Sequence, residues 1–227
     1  MNVIDILPIA LLGAFLGMDV VTFPQAMISR PIVAATAAGA FIGNAPAGIV
    51  MGIVLELLAL EMLPFGASRY PEWGSASVVG GALYASQQGD PPGALMVALL
   101  AALATALLSG KSMVWLRRLN ASRATHQRAK LERGSASAVT SLQLFGLTCD
   151  LARGFLVTLV SMLVFTALTA PILETWGLDG RLSRAAVVAM CAAVSAGAIW
   201  KIFHSVPRAR ILFVSGLAIG AAILISE

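Results

Sequence analysis

Long apolar runs without a charged side chain are the feature that most constrains this chain. The clearest begins at Gly93 and reaches Lys111 before meeting a charge. A run of about 20 apolar residues is long enough to cross a bilayer as a helix. Hydrophobic residues make up 59% of the chain and charged residues 11%, against roughly 45–50% and about 25% in soluble domains. The sequence therefore predicts an integral membrane protein.

The apolar runs differ in length, and the difference predicts the architecture. Runs long enough to span are 4–21, 47–63, 93–116, 141–173, 185–203 and 211–225. Two others, 31–43 and 75–86, are short for a span. Irregular backbone at membrane depth survives only inside protein or along a wet cavity, and transporters build binding sites from such broken helices. We predict an all-α, polytopic transmembrane protein with short re-entrant or broken helices, the alternative being ordinary spans.

Positive charge is concentrated in one segment, about residues 111–134, where seven Lys or Arg face a single acidic residue, Glu132. An excess of Lys and Arg beside a span is typical of cytoplasmic loops. We therefore predict one membrane-embedded domain over residues 1–227, with this basic segment as a cytoplasmic loop whose spacing also permits an amphipathic helix. Because the basic residues are concentrated in one segment, membrane orientation explains the net charge of +4 better than nucleic acid binding does. The first helix lacks a basic leader and is expected to be retained.

No residue pattern indicates catalysis by this chain. The sequence holds no Walker loop, dinucleotide fingerprint or HExxH motif. Neither His126 nor His204 has a Ser, Cys or carboxylate residue at a spacing typical of a catalytic site. The cysteines Cys149 and Cys191 both lie in apolar runs, as small buried residues do. We expect no catalytic residue, no metal ion and no cofactor.

Small residues recur at a spacing that favours close helix packing. Four glycine pairs lie four residues apart: Gly13 and Gly17, Gly39 and Gly43, Gly48 and Gly52, and Gly216 and Gly220. Such pairs let helix backbones approach closely. They predict tight packing, either within the protein or between subunits.

Charged residues within apolar segments are expensive and need a reason. Glu56 lies within GIVLELLALEML and is predicted either to contact a solute or to form a structural hydrogen bond to a neighbouring helix. Asp19 either pairs with Arg30 or caps a local turn, and it joins Gln25 as a candidate solute contact. Asp150 and Arg153 are three residues apart, so they are predicted to neutralise each other on one helix face.

The segment from residue 64 to 77 combines turn-forming residues, hydroxyls, aromatic rings and a carboxylate. Neutral sugars are bound by such a mixture, because polar groups take the hydroxyls and an aromatic face takes the C–H surface. The segment is predicted to face a sugar, the alternative being a plain loop outside the membrane.

From Gly17 to Gly81 the sequence resembles the membrane IIC subunit of the mannose/fructose/sorbose-type bacterial sugar phosphotransferase system (PTS). The elements that carry the resemblance keep their order and spacing: Gly17-Met-Asp19, Ser29-Arg30-Pro31, Gly39 to Asn44, Gly48 to Gly52, Leu55-Glu56, Pro64 to Ala67, and Tyr70-Pro71-Glu72. The departures are Pro24 with Gln25, where relatives often carry an acidic residue, and Gly43-Asn44 in place of a Gly-Asp pair.

The resemblance implies a sugar-translocating subunit of the bacterial inner membrane. It implies a IID membrane partner in a trimer of heterodimers, soluble IIA and IIB phosphocarriers, and phosphorylation of the sugar by IIB. By position it marks Glu56, the turn Gly66-Ala67, and Glu72 with Ser75 and Ser77 as sugar-facing. A divergent, non-transporting scaffold or regulatory subunit is the alternative.

Overall fold

The structure, a computed structural model, describes residues 3–60, 70–204 and 206–226, and every element within these ranges is a helix. In chain order the helices are α1 (Val3–Met18), α2 (Pro31–Ile42), α3 (Ala45–Ala59), α4 (Trp73–Ala85), α5 (Ala94–His126), α6 (Arg128–Glu132), α7 (Ala136–Glu174), α8 (Gly180–Phe203) and α9 (Ala209–Ser226). Among them α5, α7 and α8 are long and apolar enough to cross a membrane. The predicted all-α, multi-pass membrane architecture is confirmed.

The central helices α2, α3 and α4 are too short to cross. α2, α3 and α4 contain 12, 15 and 13 residues, so at 1.5 Å per residue they reach only about 18–23 Å, less than the hydrocarbon thickness of about 30 Å. The short helices predicted at 31–43 and 75–86 are confirmed. The run at 47–63, predicted to span, instead forms α3, which ends at Ala59. α1 ends at Met18 rather than at Val21, because Asp19 begins a separately folded loop.

Helix α4 lies at the centre of the molecule. Every residue from Gly74 to Ala85 is buried, and α1, α2, α3, α5 and α7 all pack around it. Small side chains make this possible: a Cβ atom on Gly81 would lie 2.5 Å from the carbonyl oxygen of Ala35. α4 is therefore surrounded by protein, the condition under which a short helix is tolerated at membrane depth.

Helices α2 and α3 form a hairpin that packs through its glycines. A Cβ atom on Gly39 would lie 2.6 Å from the Cα atom of Gly48, so the two backbones touch as the glycine spacing predicted. At the tip, Gly43 adopts a left-handed conformation with φ of 89°. The Asn44 side chain then accepts a hydrogen bond from Ala47 N–H and donates one to the carbonyl of Ala85. The hairpin tip is thereby joined to the end of α4.

The remaining glycine pairs behave differently. A Cβ atom on Gly13 would collide with Thr158 of α7, and one on Gly17 would collide with Ser75 of α4. Gly216 and Gly220 in α9 have no neighbour that an added Cβ would meet within 4 Å among the described residues. Packing within the chain is therefore confirmed for the first and third pairs and for Gly39, whereas Gly43 serves the turn between α2 and α3. A role of the last pair between subunits stays a prediction.

The basic segment is mostly helical rather than a loop. α5 continues through it to His126, since residues 111–126 hold neither proline nor glycine. The Arg123 guanidinium lies 4.1 Å from the centre of the Phe145 ring in α7. α7 is one continuous helix over the run at 141–173, whose course the sequence left open.

Replacing Gly48 by Val is expected to destabilise the protein, since a Cβ there would lie 2.5 Å from the Ala35 carbonyl oxygen. Overpacking of this kind costs about 1–3 kcal/mol. The matched control is Gly197→Val in α8, where no atom lies within 4 Å of an added Cβ. A thermal unfolding series in detergent checks this, and equal loss of stability in both variants would contradict the packing described.

Candidate solute-binding cavity

Four helix ends meet around a cavity of about 400 Å³. Asp19 after α1, Pro31 at the start of α2, Ala59 at the end of α3 and Trp73 at the start of α4 all line it. The volume lies within the range of about 300–1,000 Å³ that small-molecule pockets occupy. Helix ends carry unpaired backbone groups, so their convergence brings polar groups to a half-open cavity whose surface is otherwise mostly apolar.

The loop between α1 and α2 is folded around the Asp19 carboxylate. Asp19 is almost fully buried and accepts hydrogen bonds from Ala26 N–H at 2.7 Å, Ser29 N–H at 3.0 Å and the Ser29 hydroxyl at 2.8 Å. Gln25 and Met27 adopt positive φ angles of 60° and 61°, a conformation rare for such residues. Of the two predicted roles of Asp19, capping a local turn is the one observed, and the predicted pairing with Arg30 is wrong.

Glu56 forms an ion pair with Arg30 across the α2–α3 hairpin. The same carboxylate accepts a hydrogen bond of 3.2 Å from Ile32 N–H in the first turn of α2. A negative charge beside a helix N-terminus is stabilising. Arg30 lines the cavity whereas Glu56 does not, so the carboxylate meets the cavity only through the guanidinium that it holds.

Glu72 caps the amino end of α4. Its carboxylate accepts hydrogen bonds from Ser75 N–H at 3.1 and 3.3 Å and from the Ser109 hydroxyl of α5 at 2.7 Å. Its own backbone N–H donates to the carbonyl of Ala106 at 3.1 Å. Glu72 lines the cavity and is 1% exposed. The residue predicted from the sugar-facing segment therefore reaches the cavity, and most of its hydrogen-bonding capacity serves the fold.

A buried polar chain continues from Ser109 into α7. Arg153 donates to the Ser109 hydroxyl and to the Asp150 carboxylate, both at 2.8 Å. Asp150 in turn accepts a hydrogen bond from the Thr22 hydroxyl in the loop between α1 and α2. The predicted pairing of Asp150 with Arg153 is confirmed. This series of hydrogen bonds connects the amino end of α4 to the loop held by Asp19. The two walls of the cavity are therefore attached to the same residues of α7.

Two aromatic residues complete the cavity wall. The Tyr70 hydroxyl accepts a hydrogen bond of 2.7 Å from Arg117, whose guanidinium lies 5.1 Å from the centre of the Tyr70 ring. The Trp73 ring lines the cavity, and its indole N–H has no partner among the described residues. Sequence reasoning assigned no solute contact to Arg30, and it predicted an aromatic contact from the segment 64–77 without choosing between Tyr70 and Trp73. The signal was present for Trp73, because an aromatic residue directly follows the capping carboxylate.

Of the other predicted solute contacts, only Gln25 lines the cavity among the described residues. Ser75 lies in the first turn of α4 and its hydroxyl donates to the Gly13 carbonyl at 3.3 Å. Ser77, two residues further along α4, is fully buried, with no hydrogen-bond partner for its hydroxyl in the described part of the chain. Gly66 and Ala67 lie outside the described residues.

A family model matches residues 3–177, and its description is the sorbose-specific IIC component of the PTS system. The chain belongs to this family. The match covers the cavity, the whole of α4 and the buried polar chain that reaches α7. The resemblance carried by the short motifs between Gly17 and Gly81 is confirmed.

Known proteins support the same family. The chain is 32% identical over 108 residues to the fructose permease IIC component of Bacillus subtilis (strain 168), covering 47% of this chain and 40% of that protein. A solved structure described as a membrane protein superimposes with a TM-score of 0.73 and 16% identity, covering 99% of this chain and 95% of the other. The mannose transporter ManYZ in complex with microcin E492 superimposes with a TM-score of 0.60 and 16% identity, covering 97% and 87%. At that identity the two structures show the fold.

Replacing Asp150 by Asn is expected to destabilise the fold, because it leaves the Arg153 cation, whose side chain is 8% exposed, without its charge partner. Breaking a buried ion pair costs about 3–5 kcal/mol. Glu132→Gln is the control, since it removes the partner of Arg128 from an exposed pair that contributes under about 1 kcal/mol. Unfolding in a denaturing-detergent titration measures both, and a tolerated Asp150→Asn would show that the polar chain is not an anchor.

Proposed function

We propose that the protein is the sugar-translocating IIC subunit of a PTS permease and that it binds a hexose or a related sugar in the cavity between α1, α2, α3 and α4. The observation that carries the proposal is the convergence of four helix ends on a 400 Å³ chamber in a chain of this family. Broken helices of this kind form the substrate sites of transporters.

The lining groups divide into those that hold the site and those that meet the solute. The Asp19 and Glu72 carboxylates are occupied by the backbone around them. The Gln25 amide and the Arg30 guanidinium are exposed and line the cavity. The Gln25 amide also donates a hydrogen bond of 3.2 Å to the Val21 carbonyl, and its remaining capacity, with that of Arg30, meets the sugar hydroxyls. Trp73 lines the cavity and offers an aromatic surface to the C–H groups of the sugar, while its indole N–H is buried away from the cavity.

Glu56 acts in this proposal by positioning. Its ion pair with Arg30 fixes the guanidinium at the cavity edge, and charge-assisted hydrogen bonds of this type are the strong ones. Ser75 supports the site from within α4 by packing closely against Gly13 and Gly17 of α1, and Ser77 is buried in the same helix. The predicted sugar-facing roles of Gly66 and Ala67 belong to the same proposal through their family positions.

The proposal extends to partners and location. The family implies a IID membrane subunit, soluble IIA and IIB phosphocarriers, and the inner membrane of a bacterium. The exposed apolar face of α9, which includes Ile211, Leu212 and Val214, is available for lipid or for another subunit. Phosphorylation belongs to the soluble partner, so this chain supplies the passage and the binding site.

Replacing Gln25 by Ala is expected to weaken sugar binding by roughly tenfold, the order expected for one lost hydrogen bond. Stability is expected to stay unchanged, because Gln25 is exposed. The control is Gln143→Ala, an exposed amide of α7 that does not line the cavity. Equilibrium binding of a panel of neutral hexoses and amino sugars to the purified protein with its partner subunit measures the effect. No saturable binding of any sugar by a well-folded complex would overturn the proposed function and favour a scaffold.

Replacing Glu56 by Gln tests the positioning role. Sugar affinity is expected to fall by roughly tenfold or more, since a hydrogen bond to a charged group contributes about 1.5–3 kcal/mol. Assembly with the partner subunit is expected to persist, measured by co-purification. Glu132→Gln, which removes an exposed carboxylate from α6, is the control. Unchanged affinity together with lost assembly would instead make Glu56 a purely structural residue.

A further inference from the structure

A second depression, with a volume of about 470 Å³, lies on the outer face of α5. Leu107, Lys111, Trp115 and Arg118 line it from α5, and Tyr70 and Pro71 close its inner side. We call it the α5 groove. Tyr70 and Pro71 also line the solute cavity, so the two spaces share a wall.

The α5 residues of the groove repeat at helical spacing and are exposed. Residues 107, 111, 115 and 118 fall on one face of a helix, since neighbours on a helix surface are three or four positions apart. The Leu107 side chain is 58% exposed and the Trp115 ring 76%. Within the described ranges, neither Lys111 nor Arg118 forms an ion pair with a carboxylate. Among the described residues the groove thus offers two cations without an acidic partner, beside an apolar strip.

The position of the groove along α5 matches a membrane boundary. From Ala94 to Lys111 the helix rises about 25 Å at 1.5 Å per residue, close to the hydrocarbon thickness of about 30 Å. Arg118 lies about 10 Å further along the axis, at the depth of lipid headgroups. A tryptophan between them is in the position where aromatic residues are enriched.

We propose that the α5 groove binds an anionic phospholipid from the leaflet on the side of the basic segment. Lys111 and Arg118 converge on the headgroup phosphate, because their long flexible side chains reach towards each other across the intervening turns. One acyl chain lies along Leu107, and the Trp115 ring sits at the boundary between headgroup and hydrocarbon. The charge complementarity selects an anionic lipid, since cations beside a membrane attract such headgroups.

The bound lipid also contacts the wall of the solute cavity. A Cβ atom on Gly110 would lie 2.4 Å from the Tyr70 carbonyl oxygen, so the segment of Tyr70 and Pro71 is pressed against α5 beside the groove. The inference does not depend on the proposed sugar site, because lipid binding is measured without a solute.

The test is a titration of the purified full chain with phosphatidylglycerol or phosphatidylcholine, with bound lipids counted by native mass spectrometry. Phosphatidylglycerol is expected to bind in preference. The double variant Lys111→Gln with Arg118→Gln is expected to bind it roughly 30-fold more weakly, the order expected for two lost cations at an anionic surface.

The matched control is Lys130→Gln with Arg133→Gln, which removes the same charge from exposed positions outside the groove. Retained binding in the control supports the site. Equal loss in both double variants, equal binding of the two lipids, or displacement of phosphatidylglycerol by inorganic phosphate would each overturn it, the last by identifying a simple anion site.

Should the groove variant fail to fold, tryptophan fluorescence tests the same site in the unmodified chain. Phosphatidylglycerol with brominated acyl chains is expected to quench more emission in the wild-type protein than in Trp115→Phe, and more than brominated phosphatidylcholine does. Identical quenching by the two lipids would contradict the proposal.

Discussion

The capped amino end of α4 is the constraint on which the rest of the structure depends. A helix of 13 residues cannot reach both membrane surfaces, so its end lies inside the protein, where unpaired N–H groups are costly. Glu72 satisfies that end and receives the Ser109 hydroxyl. Because the capping group is a buried carboxylate, the surrounding helices must supply polar partners, and Ser109 and Arg153 do so.

The same arrangement explains why the cavity has rigid walls. Asp19 holds the loop between α1 and α2 through three hydrogen bonds, and Thr22 ties that loop to Asp150 of α7. Acidic residues thus maintain the shape, while the Arg30 guanidinium and the Trp73 ring are left to face a solute. In the proposed function, pre-organised donors of this kind lower the ordering cost of binding.

The longest spans and the close helix contacts could be predicted from the sequence, whereas the partner of the Arg30 guanidinium could not. The hydropathy of residues 93–116 indicated a span, and the glycine spacing indicated the close contact of Gly39 with Gly48. The partners of single charges were harder to predict, because Arg30 lies nearer to Asp19 in sequence but pairs with Glu56, which is 26 residues away. The hydropathy also predicted the end of this span at residue 116, which is too early. Helix α5 continues through polar sequence to His126, because polar residues can also favour a helix. The local sequence placed an aromatic residue in the segment predicted to face a sugar, but it did not show that Trp73 lines a cavity built from four separate helix ends.

The central claim is that the solute site lies between those helix ends. The most direct measurement is a structure of the protein with its partner subunit and a bound hexose, determined at a resolution that shows the sugar ring. The account predicts sugar density in the cavity, within hydrogen-bonding distance of Gln25 or Arg30 and against the Trp73 ring. Sugar density elsewhere, with this cavity closed by side chains, would contradict it.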